Sequence, residues 1–142
     1  MISKALNKGY KVKPLFVSPL KAGSLKEFWG KRWNSAFSIM TFKLVYSPLS
    51  LKTGKKGALI GAFIFSGLLH ELAISLPVGK GFGLPTLYFL MHGLLILFED
   101  RLRLFFSGRP LLHKAFVFLA LILPLPLLFH HSFMQTVIFN LL

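Results

Sequence analysis

The sequence predicts an all-α polytopic membrane domain, a transmembrane bundle of about three to four helical spans preceded by an interfacial amphipathic helix. Its 142 residues are 54% hydrophobic and 15% charged, with a mean hydropathy of +0.66. This composition is too apolar for an ordinary soluble domain. The apolar residues also form long blocks, whereas a soluble helix would confine them to one stripe. We therefore expect an integral, multi-pass membrane protein.

The amino-terminal third differs from the rest of the chain. Residues 1–23 form a basic lead-in with no apolar run long enough for a signal-peptide core. Residues 24–46 mix lysine, arginine and glutamate with tryptophan and phenylalanine. Amphipathic side chains of this kind favour the boundary between lipid and water. We expect one interfacial helix over residues 24–46.

Two apolar stretches predict a pair of transmembrane helices. The first, residues 57–79, contains His70 and Glu71 as its only ionisable side chains. As a helix it would be about 35 Å long, enough to cross the hydrocarbon core. The second, residues 81–98, is interrupted only by His92. It follows a turn region at 81–85 and would give a slightly short span of about 27 Å.

A third apolar run, residues 115–129, contains Pro124 and Pro126. Because proline interrupts helical hydrogen bonding, either one kinked helix or two short helices would fit. An uncharged tail follows and continues to Leu142. Lysines at 52–56 precede the first span, and arginines with one lysine at 101–114 follow the second. The positive-inside rule predicts that both of these loops are cytoplasmic.

The net charge of +13 does not indicate a nucleic-acid partner. The 17 Lys and Arg residues are spread along loops and the amino-terminal third, whereas nucleic-acid binding gathers them on one soluble face. Cationic excess beside apolar spans is the pattern that membrane topology and anionic lipids favour. The absence of cysteine excludes thiolate metal sites and a cysteine nucleophile. We expect no metal and no cofactor.

The strongest candidate for chemistry is the sequence FIFSGLLHEL, residues 63–72. It places His70 and Glu71 in an apolar span, where an ionisable group costs about 2.5–3.5 kcal/mol and usually faces a polar cavity or a partner. Ser66 and Gly67 lie one turn earlier on the same side as His70, leaving room for a substrate. Glu71 points about 100° away, which favours a polar contact between helices. The alternative for His70 is a buried imidazole bonded to a neighbouring helix.

A second cluster, SLKEFWGKRWNSAFS at residues 24–38, contains Trp29, Trp33 and Asn34. Taken alone, its tryptophans are typical of an aromatic belt at the membrane surface, and Arg32 is typical of a headgroup contact. His92 lies alone on the second span, where we expect helix packing or a polar cavity. A zinc site formed by His70, Glu71 and His92 lacks any ligand-spacing motif.

Together the two clusters resemble a known family. FWGKRWN, followed 36 residues after its asparagine by SGLLHE, resembles the membrane-bound O-acyltransferase superfamily, specifically its wax synthase branch. Lys31 and Arg32 stand where sterol and diacylglycerol acyltransferases carry an acidic residue, which favours that branch. FLMHGLLILFED, residues 89–100, is also similar. Complete members are several hundred residues long, so residues 1–142 resemble a carboxy-terminal portion of such a domain.

The resemblance implies an enzyme that transfers a fatty acyl group from acyl-CoA to a long-chain alcohol. It implies that His70 and Asn34 are the catalytic residues. The implied partners are membrane lipid, acyl-CoA and the alcohol, with no oligomeric state indicated. The residues expected to contact substrate are Trp29, Arg32, Trp33, Ser66, Glu71 and His92.

Two other classes of function fit the same sequence. A noncatalytic or truncated membrane protein would bind lipid or a partner helix. A small transporter would line a polar path with His70, Glu71 and His92. The cationic residues near the cytoplasmic face would attract the phosphates of coenzyme A, but topology alone accounts for them equally well.

Overall fold

The computed structural model describes residues 13–141, and every regular element in that part of the chain is helical. The predicted all-α class is confirmed. Residues 1–12, the larger part of the predicted basic lead-in, lie outside the described residues. Two helical stretches are long and apolar enough to cross a membrane, Ser35–Val78 and Pro110–Leu128.

The predicted interfacial helix over residues 24–46 is divided in two. After a 3-10 helix (Pro19–Lys21), α1 (Leu25–Glu27) continues as a π-helix (Phe28–Arg32). Trp33 is then extended (φ −104°, ψ 121°), and Asn34 is left-handed at φ 42°. Asparagine tolerates this conformation better than most residues, and its Oδ1 accepts the Phe37 N–H to start the next helix. The amphipathic composition of residues 24–46 therefore gave no indication of the break at Asn34.

The stretch Ser35–Val78 begins with three consecutive elements, α2 (Ser35–Thr41), a π-helix (Phe42–Tyr46) and α3 (Ser47–His70). Gly54 interrupts α3 with φ 76° and ψ 176°, a conformation that glycine adopts far more easily than other residues. The Leu49 side chain lies against Gly61, although a straight helix would separate these residues by about 18 Å. The chain therefore reverses at Gly54 and forms a helical hairpin. The lysines predicted in a loop at 52–56 are exposed at this reversal.

Beyond His70 the chain continues through a π-helix (Glu71–Ser75) and α4 (Leu76–Val78), then turns back into α5 (Leu84–Phe105). α5 packs against α3. A Cβ added at Gly67 would lie 2.7 Å from the Thr86 Cα, so the absence of a side chain there allows close helix packing. The space at Gly67 is thus filled by α5 and is not open to substrate.

α5 covers the predicted second span, but it is not one of the two stretches apolar enough to cross a membrane. The reason lies in its sequence, because the apolar run ends at Phe98 and four charged residues, Glu99, Asp100, Arg101 and Arg103, follow within the helix. The predicted count of three to four spans therefore stays a prediction.

The carboxy-terminal region follows the two-helix alternative for the proline-containing run. α6 (Pro110–Ile122) ends before Pro124, and α7 (Leu125–Leu128) begins after it. The remaining elements are α8 (His131–Phe133) and a π-helix (Met134–Phe139).

The buried core joins α1, α3, the π-helix Glu71–Ser75, α5, α6 and α7. Its members are Leu25, Phe63, Ile74, Tyr88, Phe89, Ile96, Val117 and Leu128. Many large apolar side chains remain exposed on the outer surface, including Leu111, Leu112 and Leu119 of α6. Apolar surface of this extent fits contact with lipid.

Candidate active site

A cavity of about 770 Å³ lies between the helices. Its walls come from α1 and the following π-helix, α2, α3, α5, α6 and α7. Five of the eight residues singled out in the sequence line it, namely Trp29, Trp33, Asn34, Ser66 and His70. The other three, Arg32, Glu71 and His92, do not line this cavity. Most of the remaining lining is aromatic or aliphatic, so the cavity is largely apolar.

His70 is the last residue of α3 and is partly buried. Its Nδ1 lies 2.7 Å from the Ser66 carbonyl oxygen. Because a carbonyl only accepts, Nδ1 carries the hydrogen and donates it, so Nε2 of the neutral ring bears the free lone pair. The imidazole also packs on Phe89, with ring centroids 4.3 Å apart. Ser66 thus orients the ring through its backbone, while its own hydroxyl donates to the Ala62 carbonyl at 3.0 Å.

Asn34 lines the cavity and also begins the next helix. Its Oδ1 accepts the Phe37 N–H at 3.2 Å and caps α2. This bond fixes the side chain and leaves the Nδ2 donors without a hydrogen-bond partner among residues 13–141. The adjoining turn is held by Ser38, whose hydroxyl donates to the Trp29 carbonyl at 2.8 Å. Asn34 is therefore a fixed donor on the wall of an apolar cavity.

The two tryptophans have different surroundings. The Trp29 ring lies inside the bundle, with centroid separations of 5.5 Å from Phe89 and 5.5 Å from His92. The Trp33 ring stacks on Phe28 at 5.5 Å and is 42% exposed. Trp29 thus packs between helices, while Trp33 lies at the rim of the cavity.

His92 is completely buried on α5. Its Nδ1–H donates to the Tyr88 carbonyl at 2.8 Å, and its ring packs against the Tyr88 ring at 4.3 Å. It is held between Tyr88 and Trp29, away from the cavity lining. No group of three His, Asp or Glu side chains in the described chain is placed to hold a metal ion.

Glu71 connects the end of α3 to the start of α5. Its Oε1 accepts three hydrogen bonds, from the Gly83 N–H at 2.8 Å, the Thr86 N–H at 3.1 Å and the Thr86 hydroxyl at 2.8 Å. A carboxylate at the first turn of a helix satisfies N–H groups that have no partner within the helix. This arrangement is a polar contact between helices, whereas the substrate contact expected for Glu71 stays a prediction.

Arg32 is occupied by its own segment. It forms an ion pair with Glu27 at 2.6 Å, and it donates to the Val17 carbonyl at 2.9 Å. The Gly23 N–H bonded to the Glu27 carboxylate, together with Arg32, lowers the pKa of Glu27 from its ordinary value of 4.5. Arg32 therefore connects the segment around Val17 to the π-helix that carries Trp29.

Glu99 received no role in the sequence analysis, yet it is 4% exposed and fixes the α1 segment. Its two carboxylate oxygens accept the Leu25 N–H at 2.5 Å and the Lys26 N–H at 3.0 Å. Glu99 lies seven residues after His92, which places both on one face of α5. A glutamate continuing the apolar face of a helix was the only available signal. Its partners are more than 70 residues away in the sequence and had no local pattern to reveal them.

The family model described as the membrane bound O-acyl transferase family matches residues 12–91, more than half of the chain. Among curated proteins, a probable long-chain-alcohol O-fatty-acyltransferase 7 of Arabidopsis thaliana is 33% identical over 98 residues, 60% of this chain and 28% of the relative. The long-chain-alcohol O-fatty-acyltransferase of Simmondsia chinensis is 30% identical over 115 residues, 75% of this chain and 33% of the relative. An acyl-CoA–sterol O-acyltransferase 1 of Arabidopsis thaliana is 35% identical over 68 residues, 43% of this chain and 20% of the relative.

No solved structure matches the chain. The chain spans about 30% of the length of the long-chain-alcohol acyltransferases it matches. The family match includes Asn34 and His70, and the relatives confirm the resemblance to the wax synthase branch. This chain therefore belongs to the membrane bound O-acyl transferase family.

Proposed function

We propose that this chain is part of a multi-pass membrane enzyme that transfers a fatty acyl group from acyl-CoA to a long-chain alcohol. The observation that carries the proposal is the orientation of His70. Its Nδ1–H is committed to the Ser66 carbonyl, so the basic Nε2 belongs to a ring that lines an apolar cavity. Family membership and the names of the relatives support acyl transfer, and the apolar lining suits two long-chain substrates.

The reaction requires a base because a neutral alcohol is a weak nucleophile. In the proposed step, the alcohol oxygen attacks the thioester carbonyl carbon while its proton moves to His70 Nε2. The carbon–sulfur bond then breaks, and the departing thiolate takes the proton from His70. The products are an ester and free coenzyme A. A positioned general base contributes about 10² to 10⁴ in rate.

Asn34 supplies the second polar group of the mechanism. Its Oδ1 is held by the Phe37 N–H, so the Nδ2 donors have a fixed direction before substrate arrives. A donor arranged in this way stabilises negative charge that develops on the carbonyl oxygen, or orients the reacting groups. Because the α2 cap already fixes the amide, substrate binding requires little further loss of side-chain entropy at Asn34.

The lysines at the Gly54 reversal are suited to bind the hydrophilic coenzyme A part of the acyl donor. Lys52, Lys55 and Lys56 are all exposed there, and ammonium groups attract the phosphates of coenzyme A or of lipid headgroups. We place this reversal and residues 101–114 on the cytoplasmic side. Single introduced cysteines labelled with an impermeant reagent test this topology, and labelling from opposite sides would contradict it.

The direct test uses membranes that contain the full-length protein of which this chain is part, radiolabelled palmitoyl-CoA and a panel of long-chain alcohols. We expect labelled ester that depends on both the alcohol and the chain, and that disappears in a His70→Ala sample matched for expression. A sterol acceptor serves as the comparison, because one relative is named for sterol acylation. Absence of ester with every acceptor would contradict the enzyme and favour a noncatalytic lipid-binding protein. Solute flux in proteoliposomes without acyl-CoA would instead favour a transporter.

A further inference from the structure

Two buried hydrogen-bond donors, on side chains that line the cavity, have no acceptor within residues 13–141. They are the Trp29 indole N–H and the Thr41 hydroxyl, and both side chains line the cavity. Thr41 is only 7% exposed. Buried polar groups in proteins are almost always hydrogen-bonded, because desolvation without a partner is costly. The two donors are therefore exceptions that call for an acceptor.

Thr41 differs from two other helical hydroxyls of the same protein, those of Ser66 and Thr53. A serine or threonine in a helix commonly donates to the carbonyl four residues earlier. Ser66 and Thr53 both do so, each at 3.0 Å. Thr41 makes no such bond, although it is the last residue of α2 and has the same choice available. Its hydroxyl is left for a partner outside its own helix.

The two donors belong to the same wall of the cavity. Ser38 hydrogen-bonds the Trp29 carbonyl at 2.8 Å, and Thr41 follows Ser38 by one turn on the same face of the helix. The Trp29 ring also contacts Phe89, the residue on which the His70 imidazole packs. The wall with the two donors thus adjoins the imidazole proposed as the base.

The chemistry of the donors narrows the class of ligand. An indole N–H can only donate, so its partner must offer an acceptor oxygen. A carbonyl oxygen has two lone pairs and can accept from both Trp29 and Thr41. The remaining lining is mostly apolar and suits a hydrocarbon chain. A long-chain carbonyl compound meets both requirements.

We propose that Trp29 Nε1–H and Thr41 Oγ1–H bind the carbonyl oxygen of a fatty acyl group in this cavity. The identity of the acyl group rests on the proposed function, but binding itself does not require acyl transfer. Thr41 then acts as a residue that selects carbonyl compounds, a role that no motif in the sequence indicated.

The test compares two bromine-labelled probes in lipid nanodiscs, dibrominated methyl octadecanoate and a dibrominated octadecane. Bromine quenches tryptophan fluorescence, and the only tryptophans in the chain are Trp29 and Trp33. After correction for partition into the lipid, we expect the ester to bind about three- to tenfold more tightly than the alkane. Thr41→Val, which keeps the shape and removes the hydroxyl, should lower ester affinity by about threefold or more and leave alkane affinity unchanged.

Thr53→Val is the matched control, because Thr53 is exposed and its hydroxyl is already bonded within the helix. It should retain the ester preference. The melting temperature of ligand-free Thr41→Val should stay equal to or exceed that of the wild type, since no hydrogen bond is lost. A purely structural Thr41 would instead lower the melting temperature and weaken both probes equally.

Equal affinity of the wild type for ester and alkane would overturn the proposal, as would an unchanged ester preference in Thr41→Val. These results are separable from failure of the proposed function. A chain that prefers the ester probe but forms no ester in the enzymatic assay retains the carbonyl site and loses the transferase. A chain that forms ester without that preference retains the transferase and loses this site.

Discussion

His70 and His92 lie on neighbouring helices and begin from the same local geometry. In each ring the Nδ1–H donates to the carbonyl four residues earlier, at 2.7 Å for His70 and 2.8 Å for His92. Each ring also packs against an aromatic ring at 4.3 Å. Their surroundings differ, because His70 lines the large cavity whereas His92 is completely buried between Tyr88 and Trp29. Access to the cavity, and not residue type or tautomer, separates a candidate base from a packing residue.

The largest expected effect is that of removing the His70 imidazole. His70→Ala should lower ester yield per folded protein by at least about 100-fold, because no other lining side chain is placed to take the alcohol proton. His92→Gln, which keeps a polar side chain of similar size, should stay within about tenfold of the wild type. The measurement is ester formation from labelled acyl-CoA at matched expression. Equal losses in both variants would erase the distinction between the two histidines.

Asn34 lines the same cavity as His70, and its substitution tests whether it contributes to the chemistry. Asn34→Ala should lower turnover by about 10² to 10³, through loss of a positioned donor, and should leave membrane insertion unchanged. It should also weaken the α2 cap by about 1 kcal/mol.

Asn34→Asp separates these two roles, because an aspartate keeps the capping oxygen and lacks the amide donor. Its turnover should be as low as that of the alanine variant, while its stability should match that of the wild type. Near-normal turnover in either variant would return Asn34 to a structural role at the start of α2.

Substitution of Glu99 tests whether the face of α5 that carries His92 has a structural role, since Glu99 lies on the same face. Glu99→Ala leaves the buried Leu25 N–H and the Lys26 N–H without their acceptor, which should cost about 1–3 kcal/mol of stability. Asp100→Ala, one residue away and exposed, should change stability by less than about 0.5 kcal/mol. Denaturation in detergent measures both variants. Equal stability of the two would show that α5 does not hold the α1 segment through this carboxylate.

The smallest expected effect is the pH dependence that Glu27 contributes. Its pKa in the folded protein lies below the ordinary value of 4.5 because the Gly23 N–H and Arg32 favour the ionised form. The resulting stabilisation is present above pH 4.5 and is lost as the pH falls through the lower folded pKa. Glu27→Gln should therefore show a shallower loss of melting temperature between about pH 5 and 3. An unchanged slope would mean that the Arg32 pair does not hold the segment near Trp29.

The sequence anticipated the elements that depend on local chemistry. The apolar run with His70, the glycine-rich turn before α5 and the break near Pro124 all appear in the structure. Hydropathy and proline act over a few residues, so their effects are visible in a single stretch of chain. The pairing of Asn34 with His70 in one cavity came from the family resemblance, and the structure places both residues on the cavity lining.

The features that the sequence did not anticipate depend on distant partners. The sequence predicts an interfacial helix that ends at residue 46 and a loop at residues 52–56. Residues 35–53 are instead helical throughout, and Pro48 is tolerated because it stands in the first turn of α3, where its missing N–H costs little. Thr41 and Glu99 stand out because they are buried polar residues. Their burial depends on packing between helices, which no short stretch of sequence reveals.

The reversal at Gly54 also bears on how the protein is made. It joins the helix that follows Asn34 to the helix that ends at His70, so two walls of the cavity meet through a short turn. Closing so short a loop has a small entropic cost and is fast. As the chain leaves the ribosome, these two helices can pair before α5 has been synthesised. The later helices would then assemble on a preformed hairpin that already carries both proposed catalytic residues.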